Sequence, residues 1–176
     1  MLTAQQYRNH GHGEPVGRLD LTYEDRFLRR KVLSLASGAK LLIDLPKTTS
    51  LDQGGVLITT TGSEIAIHAA PEPLLEVTGD VLHRIAWHIG NRHTPCQIED
   101  HRLLVQRDHV MADMLARIGA TTREVVEPFT PEGGAYGHGR THGHDHSHVH
   151  APAPHHPHLH DHDFDGGRGE GTPDDG

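Results

Sequence analysis

A chain of 176 residues with a formal charge of −8 is long enough for one ordinary domain or two small ones. The acid excess is concentrated in residues 133–176, where two arginines face seven acidic residues; the slightly acidic remainder carries no basic stripe and argues against nucleic acid as the main partner. A single cysteine, Cys96, excludes an internal disulfide and a CxxC zinc site. No signal-peptide pattern opens the chain, and no apolar run approaches the roughly 20 residues needed to cross a bilayer, so a cytoplasmic protein with no membrane partner is expected.

Residues 1–15 are polar, with His10 and His12 around Gly11, and read as a short strand followed by a loop. From Arg18 the pattern alternates: Leu19, Leu21 and Tyr23 face one way, and Arg18, Asp20 and Thr22 the other, as in a half-buried strand. Further strands are expected over 27–35, 40–45, 55–60 and 64–69. The turn signals Ser37-Gly38, Asp52-Gln53-Gly54-Gly55 and Thr61-Gly62-Ser63 lie between them. This spacing predicts a small all-β domain over 1–70, either a sandwich or a partly open barrel. Within it, Arg26, Arg29 and Arg30 lie on a basic stretch that could dock an acidic partner or form a solvated sheet face.

Ala70-Pro71-Glu72-Pro73 interrupts the pattern and marks a boundary. A strand over 74–77 and a helix capped by Asp80 follow, with Val81, Leu82, Ile85, Ala86 and Ile89 on the apolar face. Gly90 is the expected left-handed helix stop, and Pro95 prevents restart, which holds His93 on a short loop. Two short strands, 96–98 and 102–106, are joined by a turn at Glu99-Asp100-His101. A second helix capped by Asp108 carries Val110, Met111, Met114, Leu115 and Ile118 along one side and stops at Gly119; a last strand covers 123–126. The order β-α-β-β-α-β predicts a ferredoxin-like domain over 73–132, so the fold class is α+β. Residues 133–176 lose apolar content and are expected to form a disordered His-rich tail.

Histidine is the compositional outlier: 11 of the 19 lie between His138 and His162. His142, His144, His146, His148 and His150 alternate with other residues, and a flexible chain could gather two to four of them round one ion. Imidazole has an unperturbed pKa of about 6.5, which leaves such a tail ligand-competent near neutral pH. Imidazole suits nickel, zinc and copper alike, so the tail does not name its metal. His93 alone cannot hold a transition metal, but two copies across a dimer axis could supply two ligands. His109, at a helix start, is disfavoured as imidazolium by the helix dipole and is available to a cation, although Asp108 pulls the other way. Cys96 fits a half-buried small residue better than a thiolate ligand. The chain lacks GxxxxGK[ST], HExxH and GxSxG, so no catalytic residue and no enzyme activity are expected.

Several segments together resemble the UreE family of urease accessory proteins: Asp25-Arg26 with Arg29-Arg30, the stretch from His88 through Gly90-Asn91-Arg92-His93-Thr94-Pro95 to Gln97, Asp108-His109-Val110, the exit from Pro131 to Tyr136, and the His-rich tail. The resemblance spans the whole chain. It implies a nickel metallochaperone that acts as a homodimer, with His93 of both protomers on one nickel ion and tail histidines adding ligands. It further implies transfer of Ni(II) to the urease accessory GTPase and apo-urease complex, and an N-terminal domain that binds partners or peptides. Where some relatives carry a histidine two positions before His109, this chain has Arg107, so an auxiliary ligand is lost there. The competing reading is a general His-rich store or buffer of transition metals.

Overall fold

The computed structural model describes residues 2–133, which are mostly β-structure with two helices. The first six strands are β1 (Leu2–Arg8), β2 (Gly17–Leu21), β3 (Phe27–Ser34), β4 (Lys40–Ser50), β5 (Val56–Thr59) and β6 (Glu64–Ala69). They form one sheet in the order β2-β6-β5-β1-β4-β3, with β1–β4 and β2–β6 parallel and the other pairs antiparallel. The expected alternation holds in β2: Leu19 and Leu21 are buried, while Arg18 and Asp20 are exposed and pair at 3.2 Å. Leu41, Ile43 and Leu45 of β4 and Ile65 and Ile67 of β6 join them in a single core. The two ends of the sheet approach each other: Ala36, just after β3, donates its N–H to the Arg18 carbonyl of β2 at 3.1 Å. It is one curled sheet, not two packed ones. β4 runs beyond the expected residue 45 and through Pro46. Its pairing with β3 is irregular between Leu28 and Arg30, so the proline falls where the ladder is already interrupted.

Only Ala70 separates β6 from β7 (Pro71–Thr78). The proline cluster thus begins a strand instead of interrupting one. The reason lies in the pairing: β7 meets β10 (Thr121–Pro128) along its length, Pro71 opposite Pro128 and Pro73 opposite Val126, but β9 (Leu103–Gln106) joins its other side only from Leu74 onwards. Pro71 and Pro73 therefore occupy a one-sided stretch where a missing N–H is tolerated. With β8 (Cys96–Ile98), the second sheet has the order β10-β7-β9-β8 and is antiparallel throughout.

The helices α1 (Leu82–Gly90) and α2 (His109–Arg117) cover one face of this sheet. Ile85, Ile89, Met111 and Leu115 pack there with Leu75, Val77, Leu103 and Val105. Asp108 caps α2 as expected, its Oδ1 accepting the Met111 N–H at 2.7 Å. Asp80 does not cap α1: the helix starts one residue later than its sequence pattern suggests, with Val81 in the cap position and no side-chain bond. Val110 is 53 % exposed because it precedes the inward-facing Met111 by one residue, about 100° round the helix.

On the opposite face, Leu74 and Leu104 bury Phe129 completely, with Tyr23, from the turn between β2 and β3, set edge-on to the Phe129 ring at 5.4 Å. The buried Glu72 carboxylate accepts the Tyr23 N–H at 2.7 Å. This apolar contact holds the first sheet against the second.

Further along that face, Arg102 bonds Glu99, Glu127 and Glu76 at 2.6, 2.7 and 2.9 Å, and Arg123 also reaches Glu76 at 2.9 Å. The Arg102 guanidinium holds the Glu76 and Glu99 carboxyls below their ordinary value of 4.5, with Arg123 adding to the effect at Glu76. A depressed folded pKa contributes stability above the unfolded value and loses it as pH falls through the folded one. Arg102→Gln is therefore expected to lower stability at neutral pH, with the deficit shrinking below about pH 4.5 as these carboxylates protonate. Urea unfolding of both proteins across pH 3–7 checks this; a deficit independent of pH would contradict it.

Candidate metal centre

Helix α1 does not stop at a left-handed Gly90. Gly90 remains helical and Asn91 follows at φ −63° and ψ −16°, while the last turn tightens through Arg92 N–H to the Ile89 carbonyl and His93 N–H to the Gly90 carbonyl, at 3.0 and 2.9 Å. The left-handed residue is His93 itself, at φ 55°. Among the described residues it is the sole non-glycine with positive φ. A side chain in this region costs about 1–2 kcal/mol, and such outliers concentrate at functional sites. The reversal presents the His93 ring on the surface, with Pro95 closing the loop two residues on.

The loop borders a cavity of about 650 Å³ between the two sheets, whose walls include His93, Pro95, Cys96, Arg26, Asp52 and Glu132. The chain's way out of the second sheet is pinned along its rim. Glu132 N–H donates to the Cys96 carbonyl at 2.9 Å, and Thr130 N–H donates to Gln97 Oε1 at 2.7 Å. Residue 133, the last one described, thus leaves the fold beside the His93 loop. The Pro131 break signalled an exit in the sequence, but these long-range bonds gave no local signal.

Cys96 is half-buried, and burial first, with the Glu132 carboxylate second, pushes its thiol up to about 11. At neutral pH it stays protonated, a poor competitor for a metal. Cys96→Ala is accordingly expected to leave nickel stoichiometry unchanged in calorimetric titration; loss of one ion per pair of chains would make Cys96 a ligand.

His109 is exposed as the first residue of α2 and does not line the cavity. Among the described residues no three His, Cys, Asp or Glu side chains gather closely enough to hold a metal ion. His142, His144, His146, His148 and His150 lie outside the described residues. Of the other histidines, His83 and His101 are exposed, His68 is half-buried in β6, and His88 meets the Trp87 ring edge-on at 5.0 Å.

The expected basic surface requires a correction. Arg26 is only 4 % exposed: it lies in a 3-10 turn before β3, donates from Nη2 to the Phe129 carbonyl and stands 5.6 Å from the Tyr23 ring. It joins the two sheets and is not part of an exposed basic face. Arg29 and Arg30 are exposed on β3, an end strand of the first sheet, with Arg30 3.7 Å from Asp44.

Comparison with known proteins fits this two-sheet organisation. Residues 2–70 match the UreE urease accessory protein N-terminal domain, and residues 72–164 match the C-terminal domain. The chain is 65 % identical over 142 residues to a urease accessory protein UreE of Ruegeria sp. (strain TM1040), covering 80 % of this chain and 81 % of the relative. It is 63 % identical over 136 residues to that of Ruegeria pomeroyi, covering 77 % and 91 %, and 53 % identical over 129 residues to that of Cereibacter sphaeroides, covering 73 % and 70 %. The class so defined is an accessory protein, not an enzyme. The chain belongs to the UreE family of urease accessory proteins. Among the described residues no helix is long and apolar enough to cross a membrane.

Proposed function

We propose that this chain is a cytoplasmic nickel metallochaperone, delivering Ni(II) for assembly of the urease active site. Family membership supports the urease context, and the left-handed, surface-presented His93 supports a single ligand per chain. The observation that carries the reading is the pinning of the chain exit: Glu132 bonds the Cys96 carbonyl, and residue 133, from which the chain continues towards its His-rich segment, borders the same cavity as His93. Two protomers of a homodimer bring their His93 rings to one ion, and His142, His144, His146, His148 and His150 add and withdraw further imidazoles. An ion held by an incomplete ligand set exchanges through its open positions, whereas a closed tetrahedral site traps it. Ligation requires the neutral ring, so acid releases the ion. Zinc and copper compete for the same donors.

In this reading residues 1–70 form the partner-binding domain, 73–132 a ferredoxin-like domain for metal binding and dimerisation, and 133–176 the metal-binding tail. The strand order β10-β7-β9-β8 around two crossover helices supports the ferredoxin-like assignment. His109 is an auxiliary ligand. Arg29 and Arg30 offer the charged surface to the urease accessory GTPase and apo-urease complex. Equilibrium dialysis of a chain ending at Tyr136 tests the function: one tightly held nickel ion per two chains is expected to remain. Loss of all binding on truncation would leave only the metal store.

A further inference from the structure

The first sheet carries a pair of imidazoles remote in sequence from His93. After β1 the chain forms a loop containing His10-Gly11-His12-Gly13, and the His10 and His12 rings stand 6.2 Å apart between centroids, at 84° to each other. Both residues are exposed. The backbone beneath them is fixed by Glu64 at the start of β6: Oε1 accepts the His12 N–H at 3.1 Å, and Oε2 accepts the Gly13 N–H at 3.2 Å. Val16 N–H, on the far side of the loop, bonds the Glu64 carbonyl at 2.9 Å. Gly11 allows this approach, since a Cβ there would lie 2.6 Å from Glu64 Oε2 and 3.0 Å from Val56 Cγ1. Arg8 is the opposing cation nearby.

From this geometry we infer that His10 and His12 form a second, weak chelate for a borderline divalent cation such as nickel, zinc or copper. Metal–imidazole bonds of about 2.0–2.1 Å place two rings on one ion with centroids about 4.5–5 Å apart, the shorter value for cis positions on nickel or copper and the longer for tetrahedral zinc. The observed separation thus needs to close by about 1–2 Å, which side-chain rotation at two exposed residues supplies without moving the anchored backbone. Glu64 is engaged with the backbone and contributes charge, while water fills the remaining positions. The ion is borderline because imidazole is the only ligand type offered. The site shares no residue with the His93 centre, and stands whether or not His93 binds metal.

Carbethoxylation of the full chain with diethyl pyrocarbonate, read residue by residue by mass spectrometry with and without nickel chloride, tests it. At saturating nickel, modification of His10 and His12 is expected to fall together by at least about threefold, as occupancy above two-thirds requires. His101, exposed in the turn after β8, is expected to stay reactive. In His10→Ala, nickel is expected to leave His12 as reactive as in metal-free protein, because the chelate is gone. The inference is overturned if His10 and His12 stay reactive while tail histidines are protected, if only one of them is protected, if His101 is protected equally, or if His12 remains protected in His10→Ala.

Discussion

His93→Ala is expected to weaken the proposed nickel site by more than about a hundredfold, because even an outer-sphere partner is worth 10–100-fold in metal affinity and on this proposal the change removes one direct ligand from each of two chains. Calorimetric nickel titration of the chain ending at Tyr136 reads it without the tail's imidazoles. The φ of 55° at this position allows function to be separated from folding. Alanine keeps the strain of a left-handed side chain, whereas glycine relieves it and adds freedom to the unfolded chain, two effects of similar size and opposite sign. His93→Gly is therefore expected to unfold within about 1 kcal/mol of the native protein while losing nickel as completely as alanine. Retention of the tight ion by either variant would show that the ring is no ligand.

Phe129→Ala is expected to cost about 3–5 kcal/mol, the usual consequence of removing a fully buried aromatic side chain. Phe129 is 0 % exposed, fills the space between Leu74, Leu104 and Tyr23, and is the main apolar bridge between the two sheets. A domain's total stability is about 5–15 kcal/mol, so this loss is large. Phe129→Leu keeps most of the volume and is expected to cost about 1.5 kcal/mol or less. The Phe129 carbonyl that accepts from Arg26 survives either change, so the measured loss reports packing alone. Urea unfolding monitored by circular dichroism gives both values. A cost below about 1 kcal/mol for alanine would mean that the Phe129 pocket collapses freely.

Much of the fold is legible from local pattern. Alternation in β2, the Asp108 cap and the Gly119 stop each depend on neighbours in sequence, and each is where the chain predicts it. Several of the failures share a cause, namely dependence on distant residues. Arg26 reads as part of a solvated basic run because its partner, the Phe129 carbonyl, is 103 residues away. Pro71 and Pro73 read as a break because nothing local reveals that β9 stops pairing at Leu74. At the metal centre the His93 loop is legible from Gly90 and Pro95, yet its conformation is not. A glycine was the natural left-handed residue by propensity, and the chain instead places the strain on His93. The pinned exit at Glu132 was hidden for the same reason as Arg26.

The central claim is that two His93 rings meet at one cation. Native mass spectrometry during nickel titration of the full chain tests it most directly, because it reports subunit number and ion count in one spectrum. The account predicts a two-chain species that takes up its first nickel ion well before the rest, and loss of that first step in His93→Ala. A monomer at every nickel level, or a first step unchanged by His93→Ala, would contradict it.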